Sequence, residues 1–176
     1  WLLPFYDPFN WLLGGDAIRR QLVEQGAVES GQRILDIGCG TGALTLLIKQ
    51  MHPTADVVGL DPDPKALLIA RRKAERAKLS IEFVVGFGNR LDFAHAAFDR
   101  VFSSLMLHHL NRTDKVATLR EARRVLKPSG ALHVLDFGPA SVDGWLTRLV
   151  ATELQVDEDS ILDVAQHQLV LADRRV

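Results

Sequence analysis

Arg33-Ile34-Leu35-Asp36-Ile37-Gly38-Cys39-Gly40-Thr41-Gly42-Ala43-Leu44-Thr45-Leu46-Leu47-Ile48-Lys49-Gln50 is the stretch that decides the fold. A short apolar run ends in three glycines within five residues, after which Ala43, Leu44, Leu47, Ile48 and Met51 recur at helical spacing. The pattern reads as a buried strand, a glycine turn and a helix start. Glycines let the backbone turn tightly and approach a ligand, since no Cβ intervenes and positive φ is allowed. The helix start that follows points unpaired N–H groups at the same place, so a nucleotide-like ligand is the natural guest.

Gly38, Gly40 and Ala43 on their own also fit the G-x-G-x-x-G/A fingerprint of dinucleotide binding, which keeps a nicotinamide-dependent oxidoreductase open. Asp36 and Gly42 shift the balance. A carboxylate at the strand end repels a pyrophosphate and favours a cationic, amino-bearing ligand, and Gly42 extends the loop to G-x-G-x-G.

Outward from this loop the composition bounds the rest. The 176 residues suffice for one domain with one good core. Apolar content of 47% and charged content of 24% are ordinary for a globular protein. A formal net charge of -1 offers no basic excess for nucleic acid. The single cysteine, Cys39, allows no internal disulfide, reads as a small filler within the loop, and fits a reducing cytoplasm. No apolar run reaches the ~18 residues of a membrane span. His52, His95, His133 and His167 are scattered and there is one cysteine, so no metal-ligand constellation is expected. Trp1 stands where a Met would begin a chain, so the native N-terminus is expected upstream.

Along the chain, Trp1 to Leu13 gathers Phe5, Tyr6, Phe9 and Trp11 between Pro4, Pro8 and the Gly14-Gly15 pair. Asp16 reads as the cap of a helix running to about Gly26. Asp56 to Leu60 is a second buried strand, and Asp63-Pro64 caps and opens a helix with Ala66, Leu67, Ala70 and Ala74 on one face. Its basic run, Arg71-Arg72-Lys73, reads as a solvated face. Ile81 to Val85 and Arg100 to Ser104 are strands three and four. Asn111 or Thr113 caps a helix that stops at Lys127-Pro128-Ser129-Gly130, and Ala131 to Phe137 is a fifth strand. Val142 to Leu154 reads as helical, and Val164 to Ala172 as one or two short strands. This alternation predicts an α/β fold, a Rossmann-like, doubly wound, mostly parallel sheet, with ligands beyond the carboxyl ends of its strands. Two units are expected: an aromatic-rich opening segment over 1–15 and a binding domain over 16–176.

Asp61 ends the second strand, where its carboxylate can accept from both ribose hydroxyls; Asp63 already fills the cap. Together with Asp36-Ile37-Gly38-Cys39-Gly40-Thr41-Gly42 come four later segments, Ile81 to Gly86, Leu91-Asp92-Phe93, Phe98 to Leu110 and Arg124 to Gly130. In order and spacing they resemble the class I S-adenosylmethionine-dependent methyltransferases of the ubiquinone/menaquinone C-methyltransferase type, over roughly Asp16 to Phe137. The resemblance implies that Asp36, Gly38, Cys39, Gly40 and Gly42 line the methionine end of S-adenosylmethionine, that Asp61 holds its ribose, and that Leu60 and Pro62 flank it. Gly86-Phe87-Gly88 falls where the family has Gly-Asp-Ala, so Phe87 is expected to replace a polar contact to adenine by an apolar one. Ser129 replaces a usual glycine.

Ser104, with the cofactor, and His108 and His109, beside the acceptor, follow the fourth strand at the mouth that the resemblance implies. His108 is the candidate catalytic group, able to orient an acceptor or take its proton, though both histidines also fit a role in local packing. The resemblance implies that 1–15 folds as a lid over cofactor and acceptor, so Tyr6, Phe9 and Trp11 are expected to line an apolar acceptor pocket, the alternative being that they cap the core or a dimer interface. The implied activity is methylation of a small lipophilic molecule, a quinone precursor, phenol or lipid-like compound, releasing S-adenosylhomocysteine in the cytoplasm. Contact with a membrane surface and a homodimer are compatible with it; a nucleic-acid partner is not expected. A nucleoside-binding module that has lost catalysis is the other reading kept. The C-terminal hairpin that closes the family's sheet is expected to be incomplete, because Thr152 to Asp163 is short for the helix leading to it.

Overall fold

The computed structural model describes residues 15–136, 161–163 and 169–173. In chain order the elements are α1 (Gly15–Gln25), β1 (Arg33–Ile37), α2 (Ala43–Met51), β2 (Asp56–Asp61), α3 (Pro64–Arg76), β3 (Glu82–Val85), β4 (Phe98–Ser104), a 3-10 turn (Leu107–His109), α4 (Arg112–Val125), β5 (Leu126–Leu135), β6 (Ile161–Asp163) and β7 (Leu169–Asp173). One sheet of order β3-β2-β1-β4-β5-β7-β6 runs through them. The first five strands are mutually parallel and β7 is antiparallel to β5. The strand order reverses between β1 and β4, which opens a crevice at their carboxyl ends.

The period of two along β1 sends Ile34 into a core with Leu22, Val23, Leu44 and Ile48, under α1 and α2. Leu35 and Ile37 enter the opposite core with Leu119, Ala122 and Val125 of α4. Asp36 shares the parity of Ile34, and this alone carries a carboxylate to the α1–α2 face. Asp63 accepts from the Lys65 N–H, with Pro64 at the first turn, as expected; of the two candidate caps for α4 it is Asn111, not Thr113, that accepts from the Asp114 N–H.

Three readings are corrected. Asp16 lies inside the first turn of α1, which begins at Gly15, and its carboxylate meets Arg19 at 3.3 Å. A carboxylate there still suits the helix dipole, so the sequence signal for a cap and for a first-turn acid is the same. The fifth strand starts at Leu126 rather than Ala131: Phe98 pairs with Leu126 and Arg100 with Ala131, so Lys127 to Gly130 bulges out of the ladder. A Cβ on Gly130 would stand 2.8 Å from Leu126 Cδ2, which explains the glycine. The terminal hairpin, expected to be incomplete, is present in its pairing: Ile161 to Asp163 pairs with Val170 to Ala172, and β7 pairs with β5 over five residues. Three residues suffice for β6 because an edge strand needs only one partner. The lid segment, with Tyr6, Phe9 and Trp11, and the helix expected over Val142 to Leu154 lie outside the described residues.

Candidate functional site

A cleft of about 290 Å³ opens at the carboxyl ends of β1, β2 and β4. Its floor is the glycine loop. Leu60 at the end of β2 accepts from Gly38 N–H at 2.8 Å and Cys39 N–H at 3.0 Å, so the loop is fastened to the neighbouring strand. Gly40 has φ +53° and, among the described residues beyond its chain neighbours, an added Cβ would meet nothing within 4 Å, so its bare backbone faces open space there. Gly42, by contrast, caps α2 with φ +83°, and an added Cβ would come within 2.8 Å of Leu46 and 3.0 Å of Ala70. It lets α2 and α3 pack closely and is a structural glycine rather than part of the cleft wall.

Asp61 bridges two segments. One carboxylate oxygen accepts from Gly40 N–H at 2.8 Å and the other from Asp63 N–H at 2.9 Å. Each oxygen keeps a second lone pair, the capacity needed to accept from a pair of hydroxyls. Asp36 is buried and accepts from the Thr45 hydroxyl at 2.6 Å, while its other oxygen has no hydrogen-bond partner among the described residues. Burial pushes its carboxyl up to about 7, with the Thr45 hydrogen bond opposing and the Asp61 charge adding to the rise. Arg19 of α1, itself buried, lines the same cleft and offsets part of this. Burial likewise pushes the Cys39 thiol far up; its sulfur belongs to the core with Leu67, Ala70 and Phe83 even though the residue touches the cleft. A thiol so placed is inert.

The other wall is the run after β4. Ser104, Leu105, Met106 and His109 line the cleft. Leu105 has φ +55°, rare outside glycine, and its N–H is held by Leu135 O at 2.6 Å. Met106 lies across Gly38, where a Cβ would stand 2.3 Å from its Cγ. His108 stands beside the cleft rather than in its lining. Its ring meets His109 with centroids 4.0 Å apart, and Asp136, at the end of β5, accepts from its backbone N–H at 2.9 Å and contacts its Nδ1 at 2.5 Å.

Of the residues expected at the cofactor, Asp36, Gly38, Cys39, Gly40, Asp61 and Ser104 come together in this cleft. Leu60, Gly42 and Gly88 support it from behind: Gly88 is wedged so that a Cβ would stand 2.8 Å from Ile37 and 3.0 Å from Thr118. Pro62, Gly86 and Phe87 lie on the β2–β3 side outside the lining, Phe87 being 64% exposed. Arg19, Thr45, Met106 and Asp136 are contributors that sequence reasoning passed over. Arg19 and Asp136 lie 17 residues before and 100 residues after Asp36 in the chain, so no local motif includes them. Among the described residues no group of three or more His, Cys, Asp or Glu is placed to hold a metal, and no helix is long and apolar enough to cross a membrane.

Comparison with known proteins agrees with this geometry. Residues 34–130 match the methyltransferase domain family. A demethylmenaquinone methyltransferase of Thermus thermophilus is 41% identical over 141 residues, covering 78% of this chain and 63% of the relative; the chain thus spans less than two thirds of that protein. A SAM-dependent methyltransferase from Aquifex aeolicus superposes with TM-score 0.73 at 20% identity, covering 88% of each chain, and shows the same fold. The [4+2]-cyclase SpnF superposes with TM-score 0.71 at 26% identity over 87% of this chain and 61% of its own. The match over just over half of the chain, on a sheet of this strand order, means that the chain belongs to the methyltransferase domain family.

Proposed function

We propose that the protein transfers the methyl group of S-adenosylmethionine to a small lipophilic acceptor, a quinone precursor or related phenol, in the cytoplasm. One observation carries the cofactor half: the open Gly40 backbone and the Asp61 carboxylate share one cleft with the orphan oxygen of Asp36. That set suits a nucleoside joined to an amino acid. Asp61 accepts from the ribose hydroxyls, Asp36 and the Gly38–Gly40 backbone meet the amino end, and Arg19 offers a guanidinium to the carboxylate. Two carboxylates in the cleft disfavour the pyrophosphate of a nicotinamide dinucleotide. The acceptor class rests on the name of the Thermus relative and on the aromatic opening segment, whose Tyr6, Phe9 and Trp11 we assign to the acceptor side.

The cofactor, when bound, supplies a methyl group already activated by its sulfonium. The chain's own residues therefore align the partners and exclude water more than they donate or remove protons. Ser104, Leu105, Met106 and His109 form the wall against which an acceptor must lie. Titration calorimetry with S-adenosylhomocysteine tests the site: Asp61→Ala is expected to lose roughly tenfold or more in affinity, the scale of a charge-assisted hydrogen bond. Wild-type affinity in that variant would remove Asp61 from the site. Methyl transfer from labelled S-adenosylmethionine to a demethylated naphthoquinol tests the acceptor. A second reading, a fold that binds the nucleoside and does other chemistry, is favoured by the likeness to a [4+2]-cyclase; binding without methyl transfer across a panel of phenols would favour it.

A further inference from the structure

Asp136 closes β5 just beyond Leu135, whose neighbour across the sheet is Ser104 at the end of β4. The Asp136 side chain is 2% exposed, and each of its oxygens meets the same residue: Oδ2 accepts the His108 backbone N–H at 2.9 Å and Oδ1 meets His108 Nδ1 at 2.5 Å. A carboxylate is an acceptor only, so the ring nitrogen facing it carries the proton. In the neutral ring the lone pair then lies on Nε2. The backbone contact fixes where the 3-10 turn stands; the ring contact fixes how the imidazole is turned and which nitrogen is basic. The ring also packs on His109, which lines the cleft. A histidine that merely filled space in a short turn would need neither contact, and a buried carboxylate is costly unless something is gained by its hydrogen bonds.

We infer that Asp136 is a positioning residue that holds His108 as the Nδ1–H tautomer, with Nε2 presented as the base for a hydroxyl of the acceptor. This rests on the methyl-transfer reading above and names the group that activates the acceptor within it. The acceptor is a phenol or hydroquinone. Its hydroxyl proton passes to Nε2, and the electron pair released on oxygen delocalises to the ring carbon ortho to it. That carbon bonds to the methyl as the carbon–sulfur bond breaks, giving the neutral thioether; the same carbon then loses its own proton to water while the ring oxygen takes back the proton held on Nε2, which restores the aromatic phenol and the neutral imidazole. Asp136 stabilises the imidazolium formed in the first step. No oxidant or reductant is required.

Two measurements test this. Long-range proton–nitrogen NMR of the full chain, with His108 assigned through His108→Gln, is expected to show a protonated Nδ1 and an unprotonated Nε2 at neutral to mildly alkaline pH. An Nε2–H tautomer for His108 would overturn the inference whether or not any acceptor is turned over. In Asp136→Asn the amide can donate to Nδ1 and reverse the tautomer; kcat is expected to fall by roughly 10²-fold or more, with KM for S-adenosylmethionine unchanged and Asp136→Glu restoring part of it. Unchanged kcat in Asp136→Asn would overturn it too. Should that variant fail to fold, His108→Gln carries the kinetic arm, since it leaves the carboxylate its backbone partner; wild-type kcat there is equally fatal. If no phenol is methylated by the wild type although S-adenosylhomocysteine binds, the acceptor reading fails, and the tautomer measurement still decides the role of Asp136.

Discussion

The two walls of the cleft are built by different means. On the β1–β2 side the shape is local: Gly38 to Gly42 are contiguous, and Asp61 is tied to them through Gly40 N–H at 2.8 Å. On the β4–β5 side the lining run, Ser104 to Met106 with His109, is held in place from far along the chain. His108 is oriented by Asp136, 28 residues away, and Leu105 is held at φ +55° by the Leu135 carbonyl. A contiguous glycine loop dominates the first wall, and contacts at longer range dominate the second. Substitutions on the first side should therefore act on cofactor binding through chain geometry, and those on the second on turnover through orientation.

The largest effect is expected at Gly40. A valine there must adopt φ near +53°, which a β-branched residue does at a cost of at least about 1–2 kcal/mol, and its side chain would project into the open space of the cleft. S-adenosylhomocysteine binding is expected to drop by at least roughly 100-fold, read by calorimetry, while the fold persists because, among the described residues beyond its chain neighbours, nothing lies within 4 Å of the new Cβ. Binding within about threefold of wild type would show that the backbone at Gly40 is not the cofactor's floor, and the contrast between the walls would collapse.

The same contrast explains what could be read from the sequence. The strand–glycine–helix pattern, the Asp63-Pro64 start and the Asn111 cap are signals a few residues long, and all three stand in the structure. So does the α/β alternation, because each strand is a short apolar run. Asp136 was invisible because an acid after an apolar strand looks like any strand end; only the parallel pairing of β4 with β5 brings it to His108. Arg19 was hidden for a similar reason, lying on a helix whose place against β1 is set by Leu22 and Val23 rather than by a motif. The bulge at Lys127 to Gly130 was read as a loop before the strand, since its turn residues give no sign that Leu126 has already joined the ladder.

A smaller effect, and one of sign rather than size, concerns Asp36. Its carboxyl is raised from 3.8 to about 7 by burial. Between those values the folded chain keeps a proton that the unfolded chain has released, so stability falls as pH rises from about 4 to about 7 and is level above. A shift of this size corresponds to about 4 kcal/mol as an upper bound. Asp36→Asn has no such proton. It is expected to melt several degrees above the wild type at pH 8 and to lose that advantage near pH 4.5. Thermal melts at the two values check this; parallel curves for the two proteins would mean that Asp36 is ionised in the fold at both. Asp61 and Arg19 face the same carboxylate, the first opposing and the second favouring its charge, so a ligand bringing an ammonium group should shift the equilibrium further toward the ionised form and release a proton on binding.

The smallest effect sharpens the boundary of the cofactor wall. Phe87 was expected at the adenine ring and stands on the β3 side with 64% of its surface exposed, outside the cleft lining, in an isolated bridge with Arg90. The loop that follows it is held firmly: Glu121 accepts from Leu91 N–H, and Arg124 donates to the Leu91 and Phe93 carbonyls. Phe87 therefore sits on a fixed stem, and so large an exposed ring contributes little to folding. Phe87→Ala should leave the melting temperature within about a degree, as is usual for exposed positions. If adenine lies against Phe87, the stacking contribution of about 0.5–1.5 kcal/mol predicts a two- to tenfold loss of S-adenosylhomocysteine affinity, and no matching loss for a fragment lacking the base. Equal affinity for the whole ligand in both proteins would end the cofactor wall at Asp61 and leave Phe87 as surface.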